Sequence, residues 1–264
     1  MKPRIPEMMR AFFGASLCTV LCMADAYPGP ITDCTAVQEN LILNCSFESP
    51  ALPNNGQTQA GPPIPNWEVS GNYQPSGQNL SSGVWNIVGQ SSSWNQGAPN
   101  GKQVGFLASA VSPDVNGGLE QILDTELEPD TLYTLTGYVG APMGSNSNVP
   151  NGFASNYKIS LLAGGKELAF IDGNKEDIPV GSFEEFFLTF DSTNFALPVK
   201  KQDQNLPLSI ILFSEGPQTA FDDLALTAVP VAVSVPEPST LALLGAALAG
   251  AGLYRRRNKH TVGA

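Results

Sequence analysis

From Asn40 onward no stretch of the chain keeps a helical period, and that leaves little but β-structure to build with. What recurs instead is a short apolar or alternating run, closed off by a cluster of Gly, Pro, Asn and Ser. LILNCSF, WEVSG, GVWNIVG, KQVGFLAS, LEQILD, LYTLTGYVG, YKISLLAGG, LAFID, FEEFFLTF, LSIILFSE and FDDLALTAV are eleven candidate strands, one or two more than the domain is expected to use. In LYTLTGYV, Leu132, Thr134, Thr136 and Tyr138 share one face, and Tyr133, Leu135 and Gly137 the other. In YKISLL, Tyr157, Ile159 and Leu161 alternate with Lys158, Ser160 and Leu162. A period of two belongs to a half-buried strand, because successive side chains leave opposite sides of the pleat. Gly164-Gly165, between YKISLLA and KELAFID, is a hairpin-turn signal. The expected fold class is all-β, an antiparallel jelly-roll β-sandwich. Pro50 to Pro65 and Gly140 to Gly152 are too rich in Pro, Gly, Asn and Ser for strands and are expected as long surface loops.

Both ends of the chain differ from this body. The amino end, MKPRIPEMMRAFFGASLCTVLCMADAY, places Lys2, Arg4 and Arg10 ahead of an apolar run from Ala11 to Met23, followed by Ala24-Asp25-Ala26. Positive leader, short apolar helix and A-x-A cut site in that order are a secretory signal peptide, cleaved after Ala26. Export removes Cys18 and Cys22, so the mature chain keeps Cys34 and Cys45. In an oxidising compartment two such cysteines are expected to form one disulfide, and with no CxxC a metal or redox site has little support.

At the other end stands VPEPSTLALLGAALAGAGLYRRR. Its apolar run, Leu241 to Leu253, is thirteen residues of mostly Gly, Ala and Leu. At about 1.5 Å per residue it reaches roughly 20 Å, short of a hydrocarbon core of about 30 Å. The arginines that follow hold the tail on the cytoplasmic side. A short helix of small residues with a basic stop is a transient membrane handle rather than a permanent anchor. The expected division is therefore a signal peptide at 1–26, the sandwich at 27–229, a linker at 230–238, a short membrane helix at 239–254 and a basic cytoplasmic tail at 255–264.

Charge and histidine usage exclude much chemistry. Between Tyr27 and Val235 there are six lysines, no arginine and twenty-one acids. Such a surface repels phosphate backbones, so nucleic acid is not a partner, whereas divalent cations suit it. The only histidine, His260, lies in the tail. A Ser-His-Asp triad, a Cys-His pair and a His-ligated zinc are closed to the folded domain.

The tail resembles the PEP-CTERM sorting signal, on Val235, Pro236, Glu237 and Pro238, the short apolar helix, and Arg255, Arg256 and Arg257 in order. The resemblance covers about the last thirty residues. It implies recognition by an exosortase-type sorting protease, transient anchoring in the inner membrane, and delivery to the cell surface or extracellular matrix of a Gram-negative bacterium, where exopolysaccharide is the expected partner. It implies nothing about activity.

The body resembles galactose-binding-like sandwiches of the carbohydrate-binding-module type, on NLILNCSFESP, PNWEVSG, APNGKQVGFL, LEQILD, LYTLTGYVG and FDDLALTAV. In such domains a first-strand Glu and a last-strand Asp meet around a structural calcium. Carried over, the ligands are Glu48 and Asp222 or Asp223, with Asn100-Gly101-Lys102 offering carbonyls. Calcium takes six to eight oxygen ligands, and a metal so placed ties the chain's two ends together. The plainer alternative is that these acids simply end strands on an acidic protein. Sugar binding would need a flat aromatic surrounded by polar groups. Trp94, in SSSWNQG, and Tyr73 are the candidates for an exposed platform, while Trp67 and Trp85 are read as core. Burial is the commoner fate of any tryptophan.

More narrowly, GVWNI, APNGKQVGFL, GLEQILDTELEPDTLYTLTGYVG, YKISLLAGGKELA and FDDLAL resemble the Stig cyclases, over most of Asn40 to Val229. That resemblance implies a calcium-containing sandwich enzyme that rearranges and cyclises indole–isonitrile terpenoids, using an acid near the last strand in an aromatic pocket. Asp222, with Phe221 before it, is the nearest match to that acid. In the other register Ala220 takes the position, and the catalysis does not carry over. The expectation is an exported, surface-sorted, non-catalytic binding module with affinity for carbohydrate. The alternative is a cyclase-like acid catalyst using Asp222.

Overall fold

The structure, a computed structural model, describes residues 33–58, 64–71, 81–108, 117–143, 155–193, 195, 206–215 and 218–231. The signal peptide, Tyr73, the sorting motif, the membrane helix and the basic tail fall outside the described residues. Among the described residues no helix is long and apolar enough to cross a membrane.

Among the described residues ten strands form: β1 Glu68–Gly71, β2 Ser81–Asn86, β3 Gln103–Ala108, β4 Gly117–Glu126, β5 Thr131–Ala141, β6 Tyr157–Ala163, β7 Lys166–Gly173, β8 Ser182–Asp191, β9 Pro207–Ser214 and β10 Thr219–Pro230. They make two five-stranded sheets, β1-β4-β9-β6-β7 and β2-β3-β10-β5-β8. All the pairings are antiparallel. Apart from the edge strands β1 and β2, β3 to β10 fall into the orders β4-β9-β6-β7 and β3-β10-β5-β8. That is the double Greek key of a jelly roll. The expected β6–β7 hairpin is present, with Gly164 at φ 55° and Gly165 at φ 78°. A two-residue turn with both φ values positive matches the twist of its strands, and glycine adopts it without strain.

The alternation in the sequence sets the faces. Tyr133, Leu135 and Val139 of β5 and Tyr157, Ile159 and Leu161 of β6 enter the core between the sheets, where they meet Leu208, Ile210, Leu212, Phe221, Leu224 and Leu226. Leu132 of β5 stays 37% exposed on the opposite side.

Ten strands rather than eleven form because LILNCSF is not one. Asn44 and Phe47 take positive φ of 48° and 54°, which turns the chain instead of extending it. The segment still behaves as a surrogate strand. The N–H of Leu41 bonds to the carbonyl of Leu226 at 3.0 Å, and that of Leu224 to Cys45 at 2.9 Å, beside the part of β10 that β3 does not reach. On the other sheet the Gln121 amide donates to the Leu43 carbonyl (2.8 Å) and accepts its N–H (2.7 Å). Glu48 therefore sits after a turn, not on a first strand. At the other end β10 runs from Thr219 to Pro230, past both ends of the quoted FDDLALTAV run.

Candidate functional site

Two features meet on β10. The first is a cluster of acids. The register of β10 against β5 runs from Asp222 opposite Tyr138 to Ala225 opposite Thr136, so Asp223 and Leu224 together face Gly137. This is a β-bulge, with Asp223 at φ 53°. A bulge re-aims side chains, and both acids are 0% exposed. Asp222 accepts the N–H of Asn100 (2.9 Å) and that of Asp223 (2.8 Å). Asp223 accepts the Cys34 N–H and, at 3.0 Å, the side-chain amide of Asn100, which also donates to Asp33 at 2.9 Å. Glu48 accepts the N–H groups of Lys102 (2.6 Å) and Gln103 (2.7 Å). The loop Asn100-Gly101-Lys102 thus offers N–H donors to the acids, the reverse of the carbonyls expected from it.

The electrostatics follow from burial. Removal from water pushes the Asp222 carboxyl well above the ordinary range, against two backbone hydrogen bonds that act the other way. Asp223 is raised too, again chiefly by burial. Asp33 is held below the ordinary value by hydrogen bonds, first from the Thr35 hydroxyl. The second oxygen of Asp223, Oδ2, is buried and accepts no hydrogen bond. Ligand atoms of Asp33, Cys34 and Asp223 lie within 4.8 Å of one another, but the Cys34 sulfur is bonded to Cys45 and cannot act as a thiolate. What remains is a pair of carboxylates with one orphaned oxygen, oxygen donors of the type hard cations take but only part of the six to eight that calcium requires. Asp33 is the member that sequence reasoning missed. It belongs to no strand and no motif, and it comes beside β10 with the disulfide-bonded segment and the Asn100 amide.

The second feature is aromatic and covers the outer face of β2-β3-β10-β5-β8. The register aligns one residue from each strand: Gly83, Phe106, Ala220, Gly140 and Phe183. The next row along places Asp222 beside Tyr138 and Glu185. Small residues between two phenylalanines make a shallow trough, and the chain fills it itself. Trp94 stacks on Phe183 with ring centroids 4.5 Å apart and planes 7° from parallel. A Cβ on Gly140 would stand 3.0 Å from the Trp94 ring and overlap that of Phe183. The segment between β2 and β3 carries Trp94 across the face and is tied to the far side. Asn95 donates to Gly181 (2.8 Å), its side chain to Val180 (2.9 Å), and Met143 donates to Ser93 (2.9 Å). Trp85, Ile87, Trp94, Val104, Phe106, Phe183 and Ala220 form one buried cluster beneath it.

Trp94 is consequently no exposed platform: it is 3% exposed, because this strap presses it into the trough. Trp67 (2%) and Trp85 (8%) are core, as expected. Cys34 and Cys45 form the expected disulfide. A separate cavity of about 800 Å³ lies on the other sheet, where exposed Leu43, Val69 and Ile122 alternate with Glu68, Glu120 and Asp124. Asp222 does not line it.

Comparison with known proteins agrees with this architecture. Residues 38–227 match a family described as HpiC1 cyclase, and residues 234–257 match the PEP-CTERM protein-sorting motif, which implies export, sorting to the cell surface and processing by exosortase. Among curated proteins nothing matches. A Stig cyclase, Fisc, from Fischerella sp. TAU, crystallised with (3Z)-3-(1-methyl-2-pyrrolidinylidene)-3H-indole, is 29% identical with a TM-score of 0.62, over 73% of this chain and 98% of that one. A cyclase from Fischerella sp. TAU in complex with 4-(1H-Indol-3-yl)butan-2-one is 29% identical over the same shares, with a TM-score of 0.61. A xylan-binding domain from Paenibacillus barcinonensis covers 71% of this chain and 93% of its own at 16% identity, with a TM-score of 0.40, too distant to carry a functional argument. The family match begins ahead of β1 and ends within β10, spanning both sheets and the bulge that holds the acids, and the chain belongs to the HpiC1-like cyclase family.

Proposed function

We propose that this is a non-catalytic binding domain built on the cyclase fold, delivered to the cell surface and stabilised by calcium. The observation that carries the reading is the centre of the aromatic trough, where β10 presents Ala220 and the chain's own Trp94 lies over the face. A general acid must reach the atom it protonates. Asp222, the carboxyl that β10 contributes to this face, is fully covered and holds two backbone N–H groups. Asp33 and Asp223 would hold the calcium, with Asp222 and Glu48 nearby, and the ion would supply charge balance and tie the amino-terminal segment to the last strand. Exopolysaccharide at the cell surface is the partner we propose. Trp94 does not contribute to that contact, and Tyr73 lies outside the described residues.

The test has two arms. The exported protein, incubated with an indole–isonitrile terpenoid of the kind Stig cyclases use, should leave it unchanged, and it should be retained on immobilised exopolysaccharide. Turnover above the uncatalysed rate would overturn the non-catalytic reading, and absence of retention at high protein concentration would overturn the partner.

One observation favours the cyclase-like alternative. Burial raises the Asp222 carboxyl well above its ordinary range, the direction of shift that a proton donor requires. If turnover is found, Asp222→Asn should abolish it without unfolding the protein. If Asp222→Asn turns over substrate as fast as the parent, the catalytic role of Asp222 is excluded.

A further inference from the structure

We propose that the Cys34–Cys45 disulfide assembles the cation site through Asp33, so that cation affinity and the redox state of the disulfide are linked. The proposal rests on the calcium reading above.

The two halves of the disulfide dock on consecutive residues of β10. Cys34 donates its N–H to the Asp223 carboxylate, and the Cys45 carbonyl accepts the N–H of Leu224 at 2.9 Å. Asp33 immediately precedes Cys34 and is held beside Asp223 by the shared Asn100 amide, at 2.9 and 3.0 Å. Inside the loop that the disulfide closes, Asn40 fastens the same strand. Its side chain donates to the carbonyls of Cys34 (3.1 Å) and Leu224 (3.0 Å) and accepts the N–H of Leu226 (3.0 Å). Asp33 has no strand of its own to fix it. Its place beside Asp223 is set by the Asn100 amide and by the docking of the adjacent Cys34, the residue at which the disulfide closes the loop.

Two observations separate this from an ordinary patch of acids. Asp223 Oδ2 is buried without a partner, on a residue that is 0% exposed. The carboxylates come from segments 190 positions apart, Asp33 and Asp223, brought within 4.8 Å. The Asn100 amide bridges the two carboxylates but leaves Asp223 Oδ2 without a partner, so their mutual repulsion is only partly offset. A divalent cation relieves that repulsion only while both carboxylates are held in position. Opening the disulfide restores conformational freedom to the loop and makes cation binding meet the cost of ordering it again. By linkage the reverse holds as well: the bound cation must oppose reduction of the disulfide by the same factor.

The experiment uses the exported protein and calcium ions alone, titrated by calorimetry with the disulfide intact and after reduction by dithiothreitol, together with Asp33→Asn in the oxidised form. Oxidised protein should bind calcium. Reduction and Asp33→Asn should each weaken binding tenfold or more, and saturating calcium should shift the thiol–disulfide equilibrium against glutathione by the factor that reduction costs in affinity. Should reduction unfold the chain, Asp33→Asn with its disulfide intact, and the equilibrium shift in the parent protein, still decide. Equal affinity in oxidised and reduced protein, with Asp33→Asn still weakened, would overturn the linkage and leave the calcium reading standing. No calcium binding by the oxidised protein would overturn both.

Discussion

Trp94 lies flat on Phe183, 4.5 Å between ring centroids and 7° from parallel, and the pair closes the outer face of the β10 sheet. A tryptophan in a polar, loop-rich stretch thus becomes the core of a third layer rather than a surface for ligands. Trp94→Ala should cost about 3–5 kcal/mol of unfolding free energy, the range for removing a buried large aromatic. Equilibrium denaturation by urea measures it. If Trp94 were instead a surface platform, the substitution would leave the denaturation midpoint nearly unchanged.

Glu68 of β1 stands directly across from Glu120 of β4. Like charges on opposed positions of an antiparallel pair repel. Glu120→Gln should therefore raise stability by roughly 0.2–1 kcal/mol, the usual worth of one cross-strand pair. The gain should shrink as salt is added, since part of the pair faces water. Thermal unfolding of parent and variant in low and high sodium chloride gives both numbers. A variant less stable than the parent at low salt would mean that Glu120 serves a contact other than this repulsion.

The buried acids predict an unusual dependence on pH. Unfolded aspartates titrate near about 3.9. Asp222 is raised well above that in the folded state and Asp223 is raised as well. Between the two values the folded protein holds protons that the unfolded chain has released. The stabilisation is therefore complete below the unfolded value and drains away as pH rises through the folded one. Asp33, Glu167 and Asp191, all lowered, act in the opposite sense, and their contribution is lost as pH falls. In the presence of a chelator, the melting temperature should pass through a maximum at mildly acid pH and decline toward neutrality. Excess calcium should remove the decline, because the ion replaces the protons. A chelated protein that becomes steadily more stable up to neutral pH would contradict the burial of these two carboxyls.

The sandwich could be read from the sequence because its signal is local. The alternation Tyr133, Leu135 against Leu132, Thr134 fixes which side of β5 meets the core, and Gly164-Gly165 fixes a hairpin. LILNCSF deceived because it has the apolar content of a strand, whereas Asn44 and Phe47 curl it into turns that Gln121 and β10 then saturate from outside. The acids Asp222 and Asp223 stood out as a pair on the last run. Their partner Asp33 did not, since the disulfide expected at Cys34 carries no sign that its segment will dock on a bulge 190 positions away. Trp94 failed for a related reason. Hydrophilic neighbours describe the loop that carries it, not the sheet face onto which that loop is strapped through Asn95 and Ser93.

Glu48 and Gly101 supply the sharpest single test of the loop that covers Asp222. Glu48 takes the N–H groups of Lys102 and Gln103 on one carboxylate oxygen, at 2.6 and 2.7 Å, and so fixes the start of β3. Gly101 permits this twice over. Its φ of 69° lies where a side chain is strained, and a Cβ there would overlap the Glu48 carboxylate. Gly101→Ala should therefore expel Glu48 and lose about 1–3 kcal/mol from backbone strain alone, before the broken hydrogen bonds are counted. Glu48→Ala keeps the backbone and loses the two bonds only, for a cost of about 1.5–3 kcal/mol as charge-assisted bonds are worth. The double variant should be less destabilised than the sum of the two, because with Glu48 removed the Cβ has room and only strain remains. Chemical denaturation of the three variants forms the cycle. Strict additivity would show that Gly101 and Glu48 act independently and that strain, not crowding, is what the glycine relieves.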